Sequence, residues 1–286
     1  TNFVFSYAKN KILFMDEPSG TFPNLAKTGN PIDQPFGYQF EGYYTEADIA
    51  NVTAYITANG SNRGNTEVAV PYGSRDGNGI VSTVKPGDLK YAEGQYVYNP
   101  ATGENELVKD GIINVYDRAA IGNPNIPNTT LGLSLGAAYK GFSISILFQG
   151  SFGYSFAIKD AGIEPFVGQF QPIHQQRWTP ATAETAQYPR LTTNPSGINS
   201  SGSYLSDYWL VNARYVRLKT VDLGYQFPTK ALPFKLNNAR IYLSAYNLFT
   251  WTNYSKYQQD PEIKTNTAGD AYINQRVINL GLQLGF

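Results

Sequence analysis

The sequence predicts an all-β fold: a seven-strand arc of a larger transmembrane antiparallel β-barrel with long loops at one end. Three observations carry that prediction. The first is the last stretch of the chain, where Ile278, Leu280, Leu282, Leu284 and Phe286 take every second position and Asn279, Gly281, Gln283 and Gly285 fall between them. Alternate side chains of a strand face opposite ways. One face is therefore apolar and the other polar or bare, as lipid outside and a polar lumen inside require. The second is composition. The 286 residues carry 22 basic and 22 acidic groups, 15% charged in all, with 22 Tyr and 16 Phe. Ordinary soluble domains hold roughly 25% charged residues. No run reaches the roughly 18 apolar residues of a membrane-spanning helix. The third is that long and short connections alternate after the second strand, as in barrels with short turns at one rim and long loops at the other.

Taken in order, Phe3, Phe5 and Tyr7 alternate in residues 1–8, and Phe36, Tyr38, Phe40 and Tyr44 alternate in residues 35–44. The opening residues read as a strand and not as a leader, so the expectation is that a leader was removed or that the true start lies upstream. Leu131, Leu133, Leu135, Ala137 and Tyr139 precede a tight turn at Lys140-Gly141, and Phe142, Ile144, Ile146 and Phe148 return in phase. Two apolar faces in phase across such a turn define a hairpin. Val221, Leu223, Tyr225 and Phe227 mark residues 214–227, which Pro228 ends; Ile241, Leu243 and Ala245 begin the return over 239–251, and 275–286 is last. Long outer loops occupy about 45–130, 151–213 and 252–273. By this pattern the C-terminus is periplasmic and residues 1–8 run inward. Seven is an odd count and open edges cannot face lipid, so the arc is expected to be completed by sequence outside these residues.

Zero net charge argues against a nucleic-acid partner. Cysteine is absent and the only histidine, His174, sits in a polar loop. No nucleophile-base set, phosphate cradle or metal-ligand spacing is present, so neither an enzyme, a cofactor nor a metal is expected. Asp76-Gly-Asn-Gly79 reads as a tight turn in preference to a calcium loop. Trp178, Trp209 and Trp251 are candidates for stacking on sugar rings or peptide side chains, set against packing in a girdle or loop. Arg214, Arg217 and Lys219 cluster near the outer end of one strand, either lining the lumen to meet a partner's carboxylates, with Arg217 also a candidate substrate contact, or reaching lipid headgroups. Ile278, Leu280, Leu282, Leu284 and Phe286 form an edge strand open to strand addition.

Ala213-Arg-Tyr-Val-Arg-Leu-Lys-Thr-Val-Asp-Leu-Gly-Tyr-Gln-Phe-Pro228, Ala239-Arg-Ile-Tyr-Leu-Ser-Ala-Tyr-Asn-Leu-Phe-Thr-Trp251 and Asp260-Pro-Glu262 resemble the C-terminal part of the SusC/RagA-like TonB-dependent outer-membrane transporters of Bacteroidetes. Phe36-Gly-Tyr38, Pro86-Gly-Asp88, Asp117-Arg118, Ile121-Gly-Asn-Pro124, Lys140-Gly-Phe142 and Arg177-Trp-Thr-Pro180 follow the family's order. A departure lies at Ala92–Lys109, an expansion where the family often has an acidic loop; only Asp110-Gly-Ile-Ile113 and Asp117 remain of it. The resemblance implies a barrel of about 22 strands with a plug domain and earlier strands outside residues 1–286, so that residues 1–8 would be the sixteenth strand. It implies active import of oligosaccharides or oligopeptides energised through TonB, a SusD-like surface lipoprotein as partner, and a terminal strand read by the barrel assembly machinery. The alternatives are a passive porin or barrel enzyme, and a soluble β-sandwich adhesin or sugar-binding module.

Overall fold

The computed structural model describes residues 1–18, 20–71, 83–193, 197–228, 236–263 and 272–286. The stretch 76–79 and most of the turn after Pro228 lie outside these residues.

Six strands form one antiparallel sheet: β1 (Asn2–Tyr7), β2 (Thr129–Tyr139), β3 (Phe142–Phe152), β4 (Tyr215–Gln226), β5 (Asn238–Thr252) and β6 (Val277–Gly285), paired in that order. Between β2 and β3 the chain reverses at Lys140 and Gly141, both at positive φ (48° and 89°), the geometry that matches the twist of a hairpin. The Gly141 carbonyl accepts from Gln226 N, and a Cβ on Gly141 would stand 2.7 Å from the Gln226 carbonyl oxygen. Short turns join β2 to β3 and β4 to β5 at one rim. The connections 8–128, 153–214 and 253–276 all leave the other rim.

The register builds one apolar face across the sheet. Leu280 stands opposite Leu243, Leu243 opposite Leu223, Leu223 opposite Ile144, and Ile144 opposite Ala137, while Phe3 stands opposite Leu133. This row is bare: Leu280 is 75% exposed, Leu282 63% and Ile144 39%. On the inner face Arg240 pairs with Asp222 at 2.5 Å, and Gly224 and Gly281 make room for neighbours. A Cβ on Gly281 would come within 2.2 Å of the Tyr242 ring, and one on Gly224 within 2.5 Å of Arg240. The inner glycines of the sequence pattern therefore let large polar side chains lie flat across the wall.

The expected crossing at 35–44 is corrected, and with it the count of seven. Phe36–Gly37 pairs with Ala119–Ala120, and Phe40–Tyr43 pairs with Leu89–Tyr91. Strands of two and four residues cannot span a bilayer, which needs about 9–11. Their aromatic alternation is that of a half-buried ribbon, which has the same period as a barrel strand. With that crossing removed, β1 pairs directly with β2 and runs parallel in direction to β3. The inward direction expected for residues 1–8 is thus reversed relative to β6, and β1 moves one place later in the count.

The buried core of this chain lies in the loops. Tyr38, Tyr44, Leu89 and Tyr91 pack with Tyr154, Ile163, Tyr188, Trp209, Tyr254 and Tyr257 into one cluster. The loops 8–128, 153–214 and 253–263 thus share a single cap. Buried tyrosines staple it: Tyr44 Oη donates to Ala69 O (2.6 Å), Tyr188 Oη to Ile163 O (3.0 Å) and Tyr154 Oη to Pro261 O (2.9 Å). Each ring removes a large apolar area from water while its hydroxyl satisfies a carbonyl of another segment. One helix, α1 (Glu46–Asn59), completes the cap. Thr45 caps it reciprocally with Asp48, Gly60 ends it at φ +61°, and Val52 and Ile56 are its buried face.

Candidate functional site

The cap is clasped to the inner rim of the wall by one charged cluster. In β4 the alternation shifts at Lys219: Thr220 pairs with Leu147, but Leu218 pairs with Phe148. Without that bulge Lys219 and Arg217 would follow Val221 onto the apolar face. With it, Val216 and Leu218 face outward and Tyr215 and Arg217 turn inward, since a bulge lets two residues oppose one. Arg217 is 2% exposed. Its Nε donates to Thr250 Oγ1 (2.9 Å), Nη1 to Glu262 Oε2 (2.7 Å) and Nη2 to Asp260 Oδ1 (2.7 Å). Lys219 Nζ adds a contact to Glu262 at 3.0 Å, and Tyr215 Oη donates to Glu262 Oε1 at 2.7 Å while accepting from Gln149. Two cations face two carboxylates, so the cluster is neutral, and the planar guanidinium uses every edge. The loop after β5 is thereby held down on the inner rim. The loop carboxylates are the partners that sequence reasoning missed, although both segments stand among the motifs of the resemblance.

A second tie lies within the cap. Asp88 is buried and accepts from Lys85 N (2.8 Å), Asn199 Nδ2 (2.8 Å) and Arg190 Nη2 (3.2 Å), with Arg190 forming an ion pair to it. Burial pushes its carboxyl above the usual carboxylate range, while the hydrogen bonds and charge of Arg190 pull the other way. Gly87, at φ +86°, offers bare backbone to Trp178: a Cβ there would lie 2.3 Å from the indole. Pro86-Gly-Asp88 and Arg177-Trp-Thr-Pro180 therefore meet in space. So do Tyr38 and Arg118, whose guanidinium stands 5.6 Å over the ring, and Phe142 and Tyr225, 4.5 Å apart. The motifs that carry the resemblance are the joints of the wall and cap.

The remaining acidic stretch turns its oxygens to backbone. Asp117 accepts from Asn114 N and Gly94 N, Glu93 from Gly111 N, and Asp110 from Ile112 N. His174 is buried; Nδ1 accepts from Gln171 N (2.9 Å) and Nε2 faces Ile163 O at 2.7 Å, which makes Nε2 the protonated nitrogen. Burial lowers its pKa below the ordinary value, against the opposing pull of the Ile163 carbonyl.

The tryptophans separate. Trp209 is 2% exposed, edge-on to Tyr208 and Tyr188 in the cap core. Trp178 is half-buried on Gly87. Trp251 is 57% exposed, on the apolar face of β5, with Phe249 stacked at 6.2 Å. Ile278, Leu280, Leu282 and Leu284 line the outer side of β6, the free last strand of the sheet, and Phe286 follows it.

An arc of transmembrane barrel wall, apolar outside and clasped inside to a folded loop cap, is the class that this geometry defines. No protein-family model matches the chain. It is 25% identical over 312 residues to TonB-dependent receptor P3 of Formosa agariphila, covering 100% of this chain and 26% of that protein. It is 33% identical over 92 residues to TonB-dependent receptor SusC of Bacteroides thetaiotaomicron, covering 32% of this chain and 9% of SusC. The solved structure of the RagAB peptide transporter shares the fold, with a TM-score of 0.61, 22% identity, and coverage of 99% of this chain and 26% of that one. The chain thus spans about a quarter of the length of the relative it matches throughout. The likeness to SusC/RagA-like TonB-dependent transporters read from the motifs is borne out.

Proposed function

We propose that this chain is a wall-and-cap segment of a TonB-dependent outer-membrane importer whose other residues supply the plug and the rest of the barrel. The clasp of Arg217 on Asp260 and Glu262 carries the reading, because it fixes a folded loop layer across the inner rim of a lipid-facing wall. In this reading the long loops face the cell exterior, the short turns and Phe286 face the periplasm, and the terminal strand is presented to the barrel assembly machinery. A SusD-like surface lipoprotein seats on the cap and delivers oligosaccharide or oligopeptide. Trp178 and the exposed cap aromatics are the contacts offered to that cargo, while Arg217 and Trp209 act as scaffold.

The test is uptake by cells expressing the full transporter with its lipoprotein. Labelled oligopeptides and oligosaccharides are compared with TonB present and absent. The reading expects one class to accumulate only with TonB. Equal, energy-independent entry of both would support a passive porin instead. A soluble sandwich would need a second sheet over Leu280 and Ile144, and the described residues leave that face bare.

A further inference from the structure

At the cap end of the apolar face, two aromatic residues of the wall and two arginines make a surface that takes no part in the cap core or the clasp. The sequence groups Arg214 with Arg217 and Lys219, but the structure divides them. Ala213, Tyr215 and Arg217 are buried, while Arg214 is exposed on the opposite side, in line with Val216. Val216 pairs with Trp251. Trp251 stacks on Phe249, and the Arg276 guanidinium stands 5.5 Å over the Phe249 ring. Arg276 thus lies against Phe249, and Arg214 lies two residues beyond Val216, the partner of Trp251, so the four residues follow one another up the lipid-facing side towards the rim. Neither arginine has an ion-pair partner among the described residues. The nearby carboxylates, Asp260 and Glu262, are held on the inner side by Arg217 and Lys219.

The depth of the row fits headgroups. From Ile241, beside the Tyr225 ring near the short turns, to Trp251 is a run along one strand of about 33 Å at 3.3 Å per residue. Tilted by about 40°, it rises about 25 Å, the height of the apolar band of such barrels. The row therefore meets the membrane where hydrocarbon gives way to headgroups, where tryptophan prefers to sit. Two guanidiniums flanking an aromatic pair bring charge-assisted donors to an anion and a flat apolar surface to the chains below it.

We propose that this row binds the phosphate of an anionic glycolipid in the outer leaflet. The proposal rests on the membrane reading above and adds a ligand class to it. The test uses the full transporter in detergent micelles, with native mass spectrometry counting bound lipid. The probes are a phosphorylated acyl-disaccharide, its dephosphorylated form, and inorganic phosphate as competitor. The wild type should retain the phosphorylated lipid preferentially, and the double variant Arg214→Gln with Arg276→Gln should bind it about tenfold or more weakly. Unchanged binding by a folded double variant, or equal retention of the dephosphorylated lipid by the wild type, would overturn the proposal. So would displacement by millimolar phosphate, which would assign the site to a soluble anion. Should the double variant not fold, the comparison of the two lipids on the wild type still decides. Failure of the membrane reading would show differently, as a wild type that stays dissolved without detergent.

Discussion

At the scale of single residues, Arg217 ties the wall to the cap. Its neighbours in sequence, Val216 and Leu218, face lipid, so only the shift at Lys219 brings the guanidinium to Asp260 and Glu262. Truncation to alanine leaves buried Asp260 with no cation and half-buried Glu262 with Lys219 alone, and breaking a buried pair from one side costs about 3–5 kcal/mol. Hydrogen exchange on the full transporter should therefore show the amides of 253–263 opening in R217A, and recovering when R217M is combined with D260N and E262Q. Unchanged protection in R217A would remove the clasp from the account. His174 gives a pH signature. Its folded pKa lies below the ordinary value of about 6.5, so the unfolded cap takes up its proton first on acidification. Stability is complete above pH 6.5 and is lost as pH falls through that value towards the lowered one, by at most about 1.4 kcal/mol per pH unit. The protection factor at Gln171, its exchange rate corrected for the intrinsic slowing of amide exchange in acid, should fall between pH 7 and pH 5, and His174→Gln should flatten the trend. A wild-type profile as flat as the variant's would contradict it. The partners of these residues could not be read from the sequence, because Arg217 and Asp260, the nearer of its two carboxylates, are 43 positions apart and no local pattern joins them.

At the scale of elements, strand content was legible wherever the wall is long, because nine or more alternating residues admit few other readings. β2 to β6 fall within a few residues of the expected ranges, and the Lys140-Gly141 turn took the expected form. The ribbon at 35–44 misled because its aromatics alternate into the cap core, and period alone does not say which environment a face meets. α1 was missed although its signs were present: Thr45 and Asp48 in a capping box, Val52 and Ile56 four apart, and Gly60 at its end. The glycines on the inner face make a prediction of their own. Gly281→Val would drive a side chain into the Tyr242 ring, and such overpacking costs about 1–3 kcal/mol. Heat-resistant migration of the folded full-length barrel should be lost at a lower temperature in this variant, whereas Gly132→Ala, where the nearest atom to a Cβ is 4.0 Å away, should change little. Equal behaviour of the two would sink the close-approach argument.

At the scale of the whole molecule, two surfaces divide the chain. The wall follows from alternation and was legible. The cap was not, because its core is assembled from buried residues in three separate connections whose sequence reads as polar and rich in glycine and asparagine. Tyr44 was placed on a wall crossing, yet it lies with Tyr91, Tyr188 and Tyr254 buried among loops. A charge on the outer face should be costly in proportion to depth: Ile278→Arg, opposite Ala245 and nearest the middle of the apolar band on β6, by about 2–4 kcal/mol, read as refolding yield into lipid vesicles, against little loss for Asn279→Lys on the inner side. The most direct measurement places single nitroxide labels at 279, 280, 282 and 283 of the full-length protein in a bilayer, with cysteine introduced only there. Positions 280 and 282 should collide with dissolved oxygen and be shielded from a water-soluble nickel complex, and 279 and 283 should show the reverse preference. Water access at 280 and 282, or labels there shielded from both reagents, would contradict a wall that meets lipid.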